Sequence, residues 1–170
     1  MPGWPEALHA LLVEAGVKQV AYVPDAGHKR LIELAHADPG LKATVLTTEE
    51  EGVALLAGAY LGGERGVLLL QSSGVGNCIN MLSLAAECRV PLLMLVTMRG
   101  EWGEFNPWQV AMGQATPAVL EAMGTIVLRA DEPERIVETV RAGSVLAFDS
   151  ARMVAVLIGQ RAIGAKVFRR

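Results

Sequence analysis

Apolar runs of four to eight residues recur along the chain, separated by longer stretches whose apolar positions fall at helical spacing. A short, unbroken apolar run suits a strand buried on both faces. Such strands alternating with amphipathic helices mark successive βα units around a parallel sheet. The runs predict strands at 19–23, 43–46, 67–71, 92–97, 125–128 and 153–158, with helices at 5–15, 29–37, 50–61, 76–88, 107–123 and 132–147. Local signals agree. Asp131-Glu-Pro-Glu sets acids and a proline in a first turn, where the unpaired N–H groups of a helix favour both. Gly52 and Gly58 inside the third helix each cost ~1 kcal/mol relative to Ala, so close packing against a sheet or a partner is expected to account for them. The pattern therefore predicts an α/β fold in one domain, a six-stranded, mainly parallel sheet with helices on both faces. The domain is expected to span 1–160, with the basic segment 161–170 as a tail outside the core.

Composition narrows the functional class. At 170 residues and 52% hydrophobic, the chain suits one domain with a real core and a sheet covered on both sides. A net charge of −3, with no basic face interleaved with aromatics, argues against nucleic-acid binding. Apolar stretches such as 90–98 fall short of the ~20 residues a membrane helix needs. The start MPGWPEALHALL has no basic leader, so a cytoplasmic location is expected. Cys78 and Cys88 share no metal-ligand spacing with each other or with His9, His28 and His36. Reduced thiols are expected, with no metal site built by this chain.

In an open parallel sheet, ligands collect beyond the carboxyl ends of the strands, and the residues suited to a site fall in those loops. The segment TTEEEGVALLAGAY at 47–60 sets three carboxylates at a helix start. There they either cap the helix, as Thr47 with Glu50 or Thr48 with Glu51, or face a ligand in ionised form. The loop SSGVGN at 72–77 precedes a helix. It is read either as a tight turn needing small residues or as amides cradling an anion or carbonyl. It matches neither G-x-G-x-x-G, whose third glycine position is Ile79, nor the P-loop pattern. Arg99 at the end of an apolar strand can receive a carboxylate, sulfonate or phosphonate, or pair with Glu101 or Glu104. His28 is a proton-transfer or anion-binding candidate by its place in the loop, with a surface histidine as the alternative.

Five segments, VPDAGH at 23–28, EEEGVALLAGAYLGG at 49–63, QSSGVGNCINMLSL at 71–84, PLLMLVTMRGEWGE at 91–104 and AMGQATPAVLEAMG at 111–124, run in order through almost the whole chain. Together they resemble the pyrimidine-binding domain of thiamine diphosphate-dependent enzymes. Among these they are most similar to the α subunits of sulfopyruvate decarboxylases, and also to phosphonopyruvate decarboxylases. In that family a glutamate lies ten residues before the Tyr of an Ala-x-Gly-Tyr or Ala-x-x-Tyr helix, and counting back from Tyr60 with Ala57 in register reaches Glu50. The resemblance implies that Glu50 is catalytic, hydrogen-bonding N1′ of the aminopyrimidine, while Glu49 and Glu51 are flanking charge and cap. It implies a cofactor side formed by Pro24, Glu50, Gln71, Gly74, Gly76 and Asn77, and a substrate side formed by His28 and Arg99. The cofactor's thiazolium is the electron sink that lets a 2-oxo acid lose carbon dioxide.

The family binds the diphosphate and Mg²⁺ in a second domain marked by Gly-Asp-Gly and a later Asn, and this chain has no Gly-Asp-Gly. The resemblance therefore implies a β subunit that carries that domain and holds the metal. A cytoplasmic hetero-oligomer would then share thiamine diphosphate at its interface and act on 3-sulfopyruvate. The alternatives are phosphonopyruvate or another anionic 2-oxo acid as substrate, or a non-catalytic α/β binding or assembly module.

Overall fold

The computed structural model describes residues 3–164. The elements follow one another as α1 (Trp4–Glu14), β1 (Val17–Tyr22), α2 (Lys29–Ala37), β2 (Lys42–Val45), α3 (Glu49–Leu61) and β3 (Arg65–Gln71). They continue as α4 (Ser72–Cys78), α5 (Leu82–Glu87), β4 (Leu92–Thr97), α6 (Trp108–Ala122), β5 (Ile126–Ala130), α7 (Pro133–Phe148), β6 (Met153–Ile158) and α8 (Gln160–Ile163). One six-stranded sheet forms in the order β2-β1-β3-β4-β6-β5, and all its pairings are parallel. Each expected strand is present, with its ends moved by no more than a few residues.

The central strands explain why their sequence runs apolar without alternating. Leu68, Leu70, Met94, Val96, Ala155 and Leu157 point to one face, where α3, α4, α5 and α6 cover them. Val67, Leu69, Leu93, Leu95, Val154 and Val156 point to the other, beneath α1, α2 and α7. The period of two is intact, but both phases are buried. Among the described residues no helix is long and apolar enough to cross a membrane.

Three departures from expectation shape the site. The helix expected at 76–88 is two helices, and the first begins at Ser72 directly after β3. Its small residues let it pack close to α3 and α6, so SSGVGN is helical rather than an open amide cradle. Gly52 is explained by packing, since a Cβ there would fall on Leu68 and on Leu46 Cδ1 at 2.9 Å, whereas Gly58 meets nothing within 4 Å. The segment after β6 is not wholly outside the core. Gln160 is buried, Ala162 and Ile163 of α8 pack on the apolar cluster, and 165–170 lie outside the described residues.

Candidate active site at the strand carboxyl ends

The connections from the neighbouring strands β1 and β3 lead in opposite directions along the sheet, and a parallel sheet opens a crevice at such a reversal. The ends of β1, β3 and β4, the start of α3 and the short helix α4 surround it.

The three consecutive acids at the start of α3 have three different surroundings, because successive helical residues point about 100° apart. Glu49 is 7% exposed and turned beneath α4, where Asn77 Nδ2 donates to its Oε2 at 2.7 Å. Gly74 makes room for it, since a Cβ at that position would collide with the Glu49 carboxylate. Glu49 is therefore an interior partner of Asn77 rather than flanking charge. Glu50 is half-buried, and the Thr48 hydroxyl donates to its carboxylate. That bond, joined by a backbone N–H, holds its carboxyl below the usual range, so it is ionised at neutral pH. Glu51 is exposed and accepts from the Thr47 N–H at 2.9 Å, one residue before the cap position, so it ties down the helix start without forming the expected Thr48–Glu51 capping pair. Thr48 occupies the cap position with extended backbone, but its hydroxyl serves Glu50 instead of a helix amide. Burial, with Glu49 and Glu50 close by, pushes the Cys78 thiol up to about 12, so it stays protonated.

At the end of β1, Pro24 is exposed. The turn after it is pinned to β4 by Asp25, whose Oδ2 accepts from Gly27 N at 2.9 Å and from Thr97 Oγ1 at 2.7 Å. His28 does not lie at the surface. Its side chain is fully buried, with Nε2 3.0 Å from the Leu95 carbonyl. A carbonyl oxygen only accepts, so Nε2 carries the proton and the buried Nδ1 is an unprotonated acceptor. Desolvation holds the ring's pKa down and keeps it neutral, and the core position removes His28 from contact with a ligand. Gln71, the last residue of β3, has its buried Oε1 without a hydrogen-bond partner among the described residues.

Beyond β4 the chain forms a compact polar knot. Arg99 Nε and Nη2 bind Glu104 side-on at 2.7 and 2.8 Å, so of its two expected acidic rivals Glu104 is the partner. Glu101 pairs instead with Arg129, which also binds Asp131. Glu104 also accepts from Gly100 N at 3.3 Å, Asn106 N at 3.0 Å and Gln160 Nε2 at 3.1 Å. Arg99 above all, with these N–H groups, draws its carboxyl down to about 2. Gly100 has φ +79°, and Gly113 on α6 lies so close that a Cβ would overlap the Arg99 carbonyl. The same loop exposes Trp102 and Phe105, and Trp108 is exposed at the start of α6.

Residues 5–109 match the family described as "Thiamine pyrophosphate enzyme, N-terminal TPP binding domain", thiamine pyrophosphate being another name for thiamine diphosphate. The chain belongs to the thiamine pyrophosphate enzymes. This TPP-binding domain is 33% identical to sulfopyruvate decarboxylase subunit alpha of Methanothermobacter thermautotrophicus, over 90% of this chain and 93% of that one. The subunit alpha of Methanocaldococcus jannaschii is 30% identical over 89% and 90%. Phosphonopyruvate decarboxylase of Streptomyces viridochromogenes is 39% identical, but over 67% of this chain and 29% of its own length. A 2-oxoglutarate:ferredoxin oxidoreductase from Magnetococcus marinus shares the fold, with a TM-score of 0.73 over 95% of this chain and 29% of its own, at 15% identity.

Within the TPP-binding domain, Gly74 and Asn77 meet Glu49, while the side chain of Glu50 is bonded to Thr48 and Gln71 Oε1 has no partner among the described residues. Gly76, expected on the cofactor side, meets Met112 of α6. Three structural partners escaped the sequence reading: Thr97 for Asp25, Arg129 for Glu101, and Gln160 for Glu104. Thr97 ends a uniformly apolar strand and Gln160 follows another. A lone polar residue at the carboxyl end of a buried strand was the available signal.

Proposed function

We propose that this chain is the α subunit of a cytoplasmic, two-subunit thiamine diphosphate-dependent decarboxylase that converts 3-sulfopyruvate to sulfoacetaldehyde and carbon dioxide, taking up one proton. The observation that carries the reading is Glu50. It stands ten residues before Tyr60, ionised and half-exposed at the start of α3. The alternative of a non-catalytic module has no comparable support, because such a module has no need of an ionised acid in that register.

The residues present fit the aminopyrimidine half of the cofactor. Glu50 is an ionised, half-buried acceptor suited to a ring nitrogen. The unpartnered Gln71 Oε1 suits an exocyclic amine. When bound, the cofactor supplies a carbon nucleophile and an electron sink for decarboxylation. This chain's part is to hold a proton between Glu50 and the pyrimidine, with Thr48 steadying the carboxylate and Asn77 holding Glu49 clear of it. Arg99 binds Glu104 through its Nε and Nη2 edge, and its end-on Nη edge is assigned to the substrate's sulfonate. The diphosphate and Mg²⁺ are assigned to a β subunit.

The test is reconstitution. The chain co-purified with a partner bearing Gly-Asp-Gly…Asn should release carbon dioxide from sulfopyruvate with thiamine diphosphate and Mg²⁺ present, and more slowly from phosphonopyruvate. Calorimetry on the isolated chain should detect no tight cofactor binding. Tight, Mg²⁺-dependent binding by the chain alone would refute the shared site. Faster turnover of phosphonopyruvate would reassign the substrate.

A further inference from the structure

We propose that Gln160 is a positioning residue for substrate recognition, clamping the β4–α6 loop so that Glu104 holds Arg99 in its binding orientation. The inference rests on the functional reading above and assigns a role to a residue outside the family segments. Gln160 stands two residues beyond the end of β6 and is 1% exposed, yet its three side-chain hydrogen bonds all go to a loop almost sixty residues away in sequence. Its Oε1 accepts from Glu101 N at 3.0 Å and Trp102 N at 2.9 Å, and its Nε2 donates to Glu104 Oε2 at 3.1 Å. An amide is the side chain that can accept from two backbone N–H groups and donate to a carboxylate at once. Helix α8 adds a second tie, with the Arg161 guanidinium 3.9 Å from the centre of the Trp102 ring.

The charged groups facing Gln160 decide what a substitution does. Glu101 and Glu104 lie on the loop, and Asp131 sits against Gly159 at the end of β5. Arg99, Arg129 and Arg161 are the cations beside them. Gln160→Glu keeps the acceptor for the two N–H groups, but its new carboxyl can donate to Glu104 only while protonated. Once ionised it faces the Glu104 and Glu101 carboxylates, and like charges at that range oppose each other. The clamp in this variant should therefore close at low pH and open at high pH. Gln160→Leu, which neither accepts nor donates, should be open throughout.

Two readouts test this in the reconstituted complex. The first is the ¹⁹F resonance of Trp102 in 5-fluorotryptophan-labelled chain, assigned through Trp102→Phe. It should coincide with wild type at low pH in Gln160→Glu, move away as pH rises, and be displaced at every pH in Gln160→Leu. The second is KM for sulfopyruvate, which should rise roughly tenfold when the clamp is open, with kcat and the KM for pyruvate changed much less, as loss of a hydrogen bond to a charged group allows. Wild-type Trp102 shift and KM in both variants, or equal losses on sulfopyruvate and pyruvate, would overturn the proposal. A pH-dependent Trp102 shift in a complex that decarboxylates no sulfopyruvate would support the clamp and sink the functional reading.

Discussion

Replacing Glu104 by Gln separates the charge at the centre of the loop from its shape. In the folded chain its carboxyl is held at about 2 instead of its ordinary 4.5, first by Arg99 and then by the backbone N–H groups of Asn106 and Gly100 and the Gln160 amide. A displacement of that size corresponds to at most about 3 kcal/mol of stability at neutral pH. Because the folded value is the lower one, the contribution is complete above the unfolded value and fades as pH falls from 4.5 toward 2. The working gives a loss of about 1.4 kcal/mol between pH 7 and pH 3.5 from this group alone. Both side chains of the pair are largely shielded, at 10% and 3% exposure, so little is lost to solvent screening. Urea unfolding of wild type and Glu104→Gln across that pH range isolates the term, since all other carboxylates are common to both. The variant should be less stable by about 3 kcal/mol or more at pH 7, because Arg99 keeps its charge without its partner. The gap should narrow as the pH drops. A gap that stayed constant from pH 7 to pH 3.5 would show that the loop needs the shape of Glu104 and not its ionisation.

Three further outcomes follow from the same geometry. In the reconstituted complex Glu50→Gln should lower turnover by ~10²–10⁴-fold with folding intact, while Glu51→Gln leaves turnover near wild type; a larger loss at Glu51 would mean the register is wrong. Gly58→Ala should stabilise the chain by ~0.5–1 kcal/mol, because its Cβ meets open space, whereas Gly113→Ala should cost about 1–3 kcal/mol by driving a methyl onto the Arg99 carbonyl; chemical denaturation distinguishes the two signs. At pH 8 iodoacetamide should label the exposed Cys88 in the native chain and reach the buried Cys78, whose thiol is pushed up to about 12, only after unfolding, as mass spectrometry of the digests can show.

Periodicity made the sheet legible. A run such as Leu92 to Thr97 is too short for a buried helix and too apolar for a half-exposed strand, which leaves a central parallel strand. The helix at Ser72–Cys78 was hidden because Ser-Ser-Gly-Val-Gly-Asn has the composition of a turn. Tertiary packing overrides that preference: Gly74 must lie against Glu49, and Gly76 beside Met112, and a helix delivers both. Helix α8 was missed for the opposite reason, since four residues with one exposed arginine carry too little pattern to register.

The candidate site's register came from the resemblance, whereas what each of its side chains touches depends on direction, which spacing does not carry. The resemblance picks Glu50, ten residues before Tyr60, from three adjacent acids, and the structure holds that acid half-buried and ionised at the start of α3. Nothing in the interval says that Glu49 turns inward onto Asn77, because that follows from where α4 packs. His28 illustrates the same limit. Its place after β1 put it at the ligand end of the sheet, but as the residue before α2 it folds back over the strand and spends its N–H on Leu95. A polar residue in a strand-end loop therefore has two destinations, outward to a ligand or inward to hold the loop. Arg99 takes the inward route with one edge of its guanidinium, which is committed to Glu104. The sulfonate contact proposed for Arg99 would use the edge that Glu104 does not occupy, so the salt bridge and that proposal need not be rival readings: an ion pair on one edge fixes the direction of the other.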